Sequence, residues 1–249
     1  MSVAALYDIH GNLPALEAVL NDIRRAGVER ILIGGDVVPG PMPRETLACL
    51  RGVELPVHFI HGNGDREVLA RMAGVETGTV PERFRHVIEW TAAQLTADDQ
   101  QQLASWPQTL RLAVPGLGDV LFCHATPRND TEIFTRLTPE DRLGPVFDDA
   151  GVPLVVCGHT HMQFDRMVGS TRVVNAGSVG MPFGEPGAYW LQLGPAVHLM
   201  RTAYDLAEAA RRIRAGPYPD AEAFAATNIL NPPSESEMIA RFARAELTS

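Results

Sequence analysis

What most constrains this 249-residue chain is a series of short apolar runs, each stopped by a glycine or a polar residue. They lie at residues 3–7, 31–33, 57–60, 120–123, 154–157, 172–174 and 189–193. Runs this short, rich in β-branched residues and bounded by breakers, read as buried strands rather than helices. Helical patterns lie between several of them. Residues 14–26 put Leu16, Val19, Leu20 and Ile23 on one face, with Pro14 suited to the first turn and Gly27 to the stop. Residues 43–50 form a second pattern that stops near Gly52, and residues 81–105 carry two more, the second opened by Thr96-Ala97-Asp98-Asp99. A further helix is expected over 202–215, ending at Gly216-Pro217. Strand and helix alternate in the first half, and fewer helices separate the later strands. That order predicts an α/β layered fold. No Ser/Gly/Pro linker divides the chain. The expected organisation is one domain over 1–249, with a helical insertion at about 81–110 and a C-terminal helical tail at about 202–249.

Composition removes several function classes. Apolar residues make up 45% and charged residues 20%, ordinary values for a chain with a real core, so general disorder is excluded. The formal charge of −9, from 21 basic and 30 acidic residues, argues against a surface that coats nucleic acid. It leaves a nucleotide substrate open, because acids gathered round metal ions bind phosphate through the metals. The basic residues form no cluster of the kind that docks on a membrane, and no stretch approaches the roughly 20 apolar residues of a span. Three cysteines (Cys49, Cys123 and Cys157) and an N-terminus without a basic leader fit a reduced cytoplasm. The expected partner is a small phosphate ester or nucleotide, with neither nucleic acid nor membrane.

The chemistry sits at the strand ends. The first run leads into Asp8-Ile9-His10, the second into Gly34-Gly35-Asp36 and the third into His61-Gly62-Asn63-Gly64-Asp65. The fourth leads into His124 and the fifth into Gly158-His159-Thr160-His161. In open α/β sheets the carboxyl ends of strands are where ligands bind. Of eight histidines, the four candidate ligands His10, His124, His159 and His161 all fall at these strand ends, which chance does not produce. Asp8 and His10 are two apart, and in extended chain they point the same way; His159 and His161 repeat that spacing. Two Asp, one Asn and four His suit borderline ions such as Mn, Fe, Zn or Ni better than Ca or Mg. Seven ligands exceed one tetrahedral site, so two divalent ions are expected, manganese first among them. Two ions about 3.5–4 Å apart hold a bridging hydroxide and both oxygens of a phosphoryl displacement.

In that order, Asp8-x-His10, Gly35-Asp36, Gly62-Asn63-x-Asp65, His124 and Gly158-His159-x-His161 resemble the five-block signature of the calcineurin-like metallophosphoesterases. The likeness runs from Val3 to about Gly187 and includes Asn175-Ala176-Gly177-Ser178-Val179-Gly180 as the family's glycine-rich turn. His124-Ala125-Thr126-Pro127-Arg128 and the helix after Tyr204-Asp205 are similar to a small bacterial and archaeal branch. The resemblance implies a four-layered α/β/β/α sandwich. It implies Asp8, His10, Asp36 and His161 around one ion, and Asp36, Asn63, His124 and His159 around the other, with Asp36 bridging.

One departure stands out. Many relatives place His between the Asn and Asp of the third block, and this chain has Gly64. A missing general acid costs roughly 10²–10⁴-fold, most of all for a poor leaving group. The expected activity is therefore dimetal phosphoester hydrolysis with diesters favoured over alkyl monoesters. His61 is the substitute acid if its loop turns inward. The alternative is a metal-binding protein of the same fold with weak or no catalysis, acting as a binding or regulatory module. Asp36, His124 and Asp65 are the candidates at the reacting centre, Asp65 with bracing of the turn as its other reading. Arg128 is the candidate phosphate clamp, against the alternative of a surface arginine. Asn12 either caps the first helix or touches substrate. Cys123 and Cys157 read as buried strand cysteines.

Overall fold

In the computed structural model, which describes residues 2–75 and 80–247, the ten strands of the described residues form two five-stranded sheets. The first has the order β10-β9-β1-β2-β3, with β1 Val3–Leu6, β2 Arg30–Ile33, β3 Val57–Phe59, β9 Ala188–Leu193 and β10 Val197–Thr202. The second has the order β4-β5-β6-β8-β7, with β4 Thr109–Val114, β5 Gly118–Cys123, β6 Leu154–Cys157, β7 Phe164–Val168 and β8 Thr171–Asn175. β1, β2 and β3 are parallel, as are β5, β6 and β8. The remaining pairings are antiparallel and lie toward the sheet edges. Within each sheet, parallel neighbours deliver their C-terminal loops to one side.

The two faces of each sheet go to different cores, which is why the strands are apolar throughout rather than alternating. In β1, Val3 and Ala5 join Leu32, Leu191, Phe122, Val156 and Val174 between the sheets, while Ala4 and Leu6 turn to the helices. The outer face of the first sheet is covered by α1 (Leu13–Arg25) and α2 (Pro43–Arg51), through Leu16, Val19, Leu20, Ile23, Leu47 and Leu50. Each such buried side chain contributes roughly 1.5–3 kcal/mol of transfer free energy. The outer face of the second sheet packs Cys123, Val155, Cys157 and Val173 against Leu143, Val146 and Phe147 of α6 (Glu140–Phe147). The layers are thus α/β/β/α, as the family resemblance implies. Cys123 and Cys157 are fully buried, and burial pushes both thiols up.

The structure adds elements that apolar runs did not signal. β4, β7 and β10 are half-exposed edge strands with mixed sequences. α3 (Asn63–Met72) begins directly at the third strand-end cluster, where the sequence reading assigned no helix. The insertion at about 81–110 contains α4 (Glu82–Gln94) and α5 (Ala97–Ala104), and its end enters the second sheet as β4. The tail holds α7 (Leu206–Arg214), α8 (Ala221–Phe224) running into a π-helical turn Ala225–Leu230, and α9 (Glu235–Phe242). These two segments meet: Val87 and Trp90 of α4 pack on a small core of Ala209, Ile213, Phe224 and Ile229.

Candidate active site

Five strand ends bring the predicted residues to one place, but not by strand alternation. Asp8 (φ 54°), His10 (48°), Asp36 (50°), His159 (67°) and His161 (58°) all have left-handed backbone. Extended pairs at positions 8/10 and 159/161 were expected; tight turns aim these side chains instead. Asp and His tolerate this region better than most residues, yet each instance costs of order 1–3 kcal/mol. Among the described residues only one other non-glycine, Leu247, has positive φ, so the strain is concentrated at this cluster. Loop-to-loop bonds hold it. Asp8 N–H donates to Gly35 O (3.1 Å), His10 N–H to Asp36 O (2.9 Å) and Gly158 N–H to His124 O (2.9 Å).

Three rings are fixed by backbone carbonyls. Nδ1 of His10 faces Pro39 O at 3.2 Å, that of His124 faces Gly34 O at 2.9 Å and that of His161 faces Met181 O at 2.7 Å. A carbonyl only accepts, so each Nδ1 donates, and whenever the ring is neutral its Nε2 presents a lone pair inward. Those lone pairs converge on carboxylates. Asp8 Oδ1 lies 3.2 Å from His161 Nε2, 3.7 Å from His10 Nε2 and 3.8 Å from His124 Nε2. It is fully buried without a hydrogen-bond partner. Asp36 divides its oxygens: Oδ2 is 3.8 Å from His10 Nε2, and Oδ1 is 3.6 Å from His124 Nε2. His10 Nε2 and His161 Nε2 stand 3.2 Å apart. Acceptors crowded this closely fit a cation between them. Asp8, His10 and His161 form one group able to hold a metal ion, and Asp8, Asp36 and His124 form a second. The Asn63 amide joins the second group, 3.1 Å from His124 Nε2 and from His159 Nδ1. His159 sits beside His124, ring centroids 5.1 Å apart, and its backbone N–H donates to Asp8 Oδ2 at 2.8 Å.

The charges agree with this reading. Burial opposes ionisation of Asp8, but the His161, His124 and His10 rings hold its carboxyl well below the usual range. Burial favours neutral rings at His124 and His161, and the carboxylates Asp36 and Asp8 outweigh it and raise both. Burial wins at His159, pulled down to about 4, and at His10, also lowered. The acids here draw positive charge to the cluster, which a bound cation would also supply.

Residues 1–193 match the family model for the calcineurin-like phosphoesterase superfamily domain. The chain belongs to that superfamily. A curated relative, an uncharacterised protein of Methanocaldococcus jannaschii, is 29% identical over 232 residues, covering 85% of this chain and 91% of its own. A symmetrical bis(5'-nucleosyl)-tetraphosphatase of Erwinia tasmaniensis is 29% identical over 108 residues, covering 43% of this chain and 37% of its own. The crystal structure of a metallophosphoesterase from Sphaerobacter thermophilus superposes with a TM-score of 0.70 at 28% identity, covering 91% of this chain and 97% of that one.

Other candidates in this phosphoesterase domain are placed as follows. Asp65 is fully buried. Its Oδ1 accepts from Val37 N–H (2.9 Å) and Val38 N–H (3.1 Å), and its Oδ2 from Gly62 N–H (3.1 Å). It braces the loops that carry Asp36 and Asn63; burial and the Asp36 charge push its carboxyl up to about 7. Asn12 caps α1 through Ala15 N–H (3.2 Å), and its Nδ2 donates to Gly180 O (2.9 Å). Arg128 Nε donates to Glu132 Oε2 at 3.2 Å and its Nη2 to Glu132 Oε1. His61 faces Asp130, Nδ1 to Oδ2 3.7 Å. At Gly64, whose N–H donates to Asp36 Oδ1 at 2.7 Å, a Cβ would lie 2.7 Å from Pro39 Cγ and 3.0 Å from Asp36 Oδ1.

Sequence reasoning missed three features. Asn175 Nδ2 donates to Gly158 O (2.6 Å) and Ser178 Oγ to Asp8 O (2.8 Å), so the glycine-rich turn ties the loops of Asp8 and Gly158 together. Phe183 stacks on His161, centroids 5.3 Å apart. A cleft of about 410 Å³ opens from His10, Asp36, Asn63 and Gly64 and runs between α4 and the helix at 221–230. Arg128, Asn12 and His61 are not among its lining residues. The apolar face of α4 was readable in its spacing; the tail segment opposite it was not.

Proposed function

We propose that this chain is a dimetal phosphoesterase that hydrolyses phosphodiesters in preference to alkyl monoesters. One observation carries the reading: Asp36 turns one oxygen toward His10 and the other toward His124, the disposition of a carboxylate shared by two ions. Asp8, His10 and His161 would hold one ion with Asp36, and Asn63, His124 and His159 the other. Mixed carboxylate, imidazole and amide donors accept Mn, Fe, Zn or Ni, and manganese is the first to test. Bound divalent ions supply positive charge to the phosphoryl oxygens and acidify water to act as nucleophile. The chain's own residues do the positioning. Carbonyls of Pro39, Gly34 and Met181 fix the rings, and Asp65 fixes the loops of Asp36 and Asn63.

The preference for diesters follows from what is not within reach of the leaving oxygen. His10, itself a ligand, is the only histidine lining the cleft among the described residues. A leaving group must then depart largely as an anion. An aryl or nucleotide oxygen tolerates that, and a sugar alkoxide does not. The tetraphosphatase named above supports hydrolysis at phosphoryl groups of nucleotides as the broad class. We place the protein in the cytoplasm, on the strength of its unpaired cysteines.

The test compares bis(p-nitrophenyl) phosphate with glycerol 3-phosphate under the same Mn²⁺ load. Faster turnover of the diester is expected; faster turnover of the monoester overturns the preference. A second reading, a metal-holding module without catalysis, rests on Gly64, and absence of turnover on both esters with Mn²⁺ bound would favour it.

A further inference from the structure

The cleft changes character along its length. At one end are the ligands His10, Asp36 and Asn63. Beyond them, Phe84, Val87 and Ile88 form one wall, at the i, i+3, i+4 spacing of a single face of α4. Phe224, Thr227 and Asn228 form the other. The walls are joined behind by the small core that includes Trp90, whose ring meets Tyr218 edge-on at 5.2 Å, and at the side by His86 Nε2 to Asp220 Oδ2 at 2.9 Å. Phe84 stands at the lip, 47% exposed, with the Arg83 guanidinium 4.8 Å from its ring centroid. Isolated exposed rings need no explanation, but one at the mouth of a cavity continuous with an active site does.

Charge narrows the occupant. No Lys or Arg lines the cleft among the described residues. Its acids apart from Asp36 are Glu67, paired with Arg66, and Asp220, paired with His86. A second phosphoryl group entering this half would meet carboxylates and apolar walls, since the Arg83 guanidinium lies over the Phe84 ring at the lip and is not among the lining residues. An uncharged ring would meet Phe84 for stacking and Thr227 and Asn228 for hydrogen bonds. The volume of about 410 Å³ is within the range of small-molecule sites.

Resting on the phosphoesterase reading above, we propose that this half of the cleft receives an uncharged, ring-bearing ester group, nucleoside or aryl, of a substrate held at the ligand cluster by a single phosphoryl group. Phe84 and the helix at 221–230 are the specificity-determining elements.

Two paired measurements test it. Calorimetry on the Mn²⁺-loaded protein compares phenylphosphonate with methylphosphonate, which share the anchoring group. Kinetics compares the p-nitrophenyl esters of thymidine 5'-phosphate and of methyl phosphate, which share the leaving group. The ring-bearing member of each pair should be favoured about tenfold, in the kinetics chiefly through KM. Phe84→Ala should reduce both preferences to about twofold, and Ala223→Trp, which fills the cavity from the tail side, should do the same. Equal values within each pair, or preferences that survive both substitutions, overturn the assignment even where both esters are hydrolysed. Failure of both phosphonates to bind overturns it together with the phosphoesterase reading. Faster hydrolysis of diadenosine tetraphosphate than of the thymidine ester would contradict the single-phosphoryl part.

Discussion

Two residues decide how tightly the ligand cluster is built. Gly64 lies in the first turn of α3, where helix propensity alone would make alanine better by about 1 kcal/mol. The contact with Pro39 and Asp36 opposes that gain. Gly64→Ala should therefore weaken Mn²⁺ binding by about 10–100-fold, the range for changes just behind metal ligands, with little loss of thermal stability. Calorimetric titration with Mn²⁺ checks this, and unchanged affinity would show that the loop yields. The same contact means that Gly64→His should not install a working acid. Asn12 gives the opposite signature. Its side chain caps α1 and satisfies Gly180 O, so Asn12→Ala should cost about 1–3 kcal/mol of stability. Urea unfolding reads that loss; a large rise in KM with unchanged stability would return Asn12 to the substrate. Every proposed ligand was legible in the sequence, because short strands followed by Asp, Asn or His leave few other readings. The left-handed turns at Asp8, His10, Asp36, His159 and His161 were not, since such backbone is imposed by the loops that pack around it.

At the scale of elements, the parallel strands and the two helices on the first sheet follow from periodicity. The edge strands do not, because β4, β7 and β10 carry polar residues on a face that meets water. The insertion and the tail show the same limit more sharply. The insertion has a readable apolar face in α4, but that it pairs with the tail is a long-range fact. Their joint core makes a stability prediction. Ile213 is 1% exposed in it, and Ile213→Ala should cost about 2–5 kcal/mol. Denaturant unfolding should register most of that loss. A cost below about 1 kcal/mol would mean that the tail docks weakly. Because this core backs the cleft wall, the substitution should also raise KM for aryl diesters more than it lowers kcat.

For the whole molecule, two sheets point their parallel strand ends at one cluster of buried acids and imidazoles. Such a cluster is costly without cations, so metal binding and folding stability are linked. Saturating Mn²⁺ at about 100 times its Kd should stabilise the protein by about 2.7 kcal/mol per independent site, and a chelator should reverse the shift. The account stands most directly on how many ions the cluster takes. Equilibrium dialysis against Mn²⁺ followed by elemental analysis measures that number in the wild-type chain and in Asp36→Asn. Two ions per chain, falling to one or fewer when the shared carboxylate is neutralised, is the predicted result; a single ion at saturation in the wild type, or two retained in Asp36→Asn with diesterase activity intact, would contradict it.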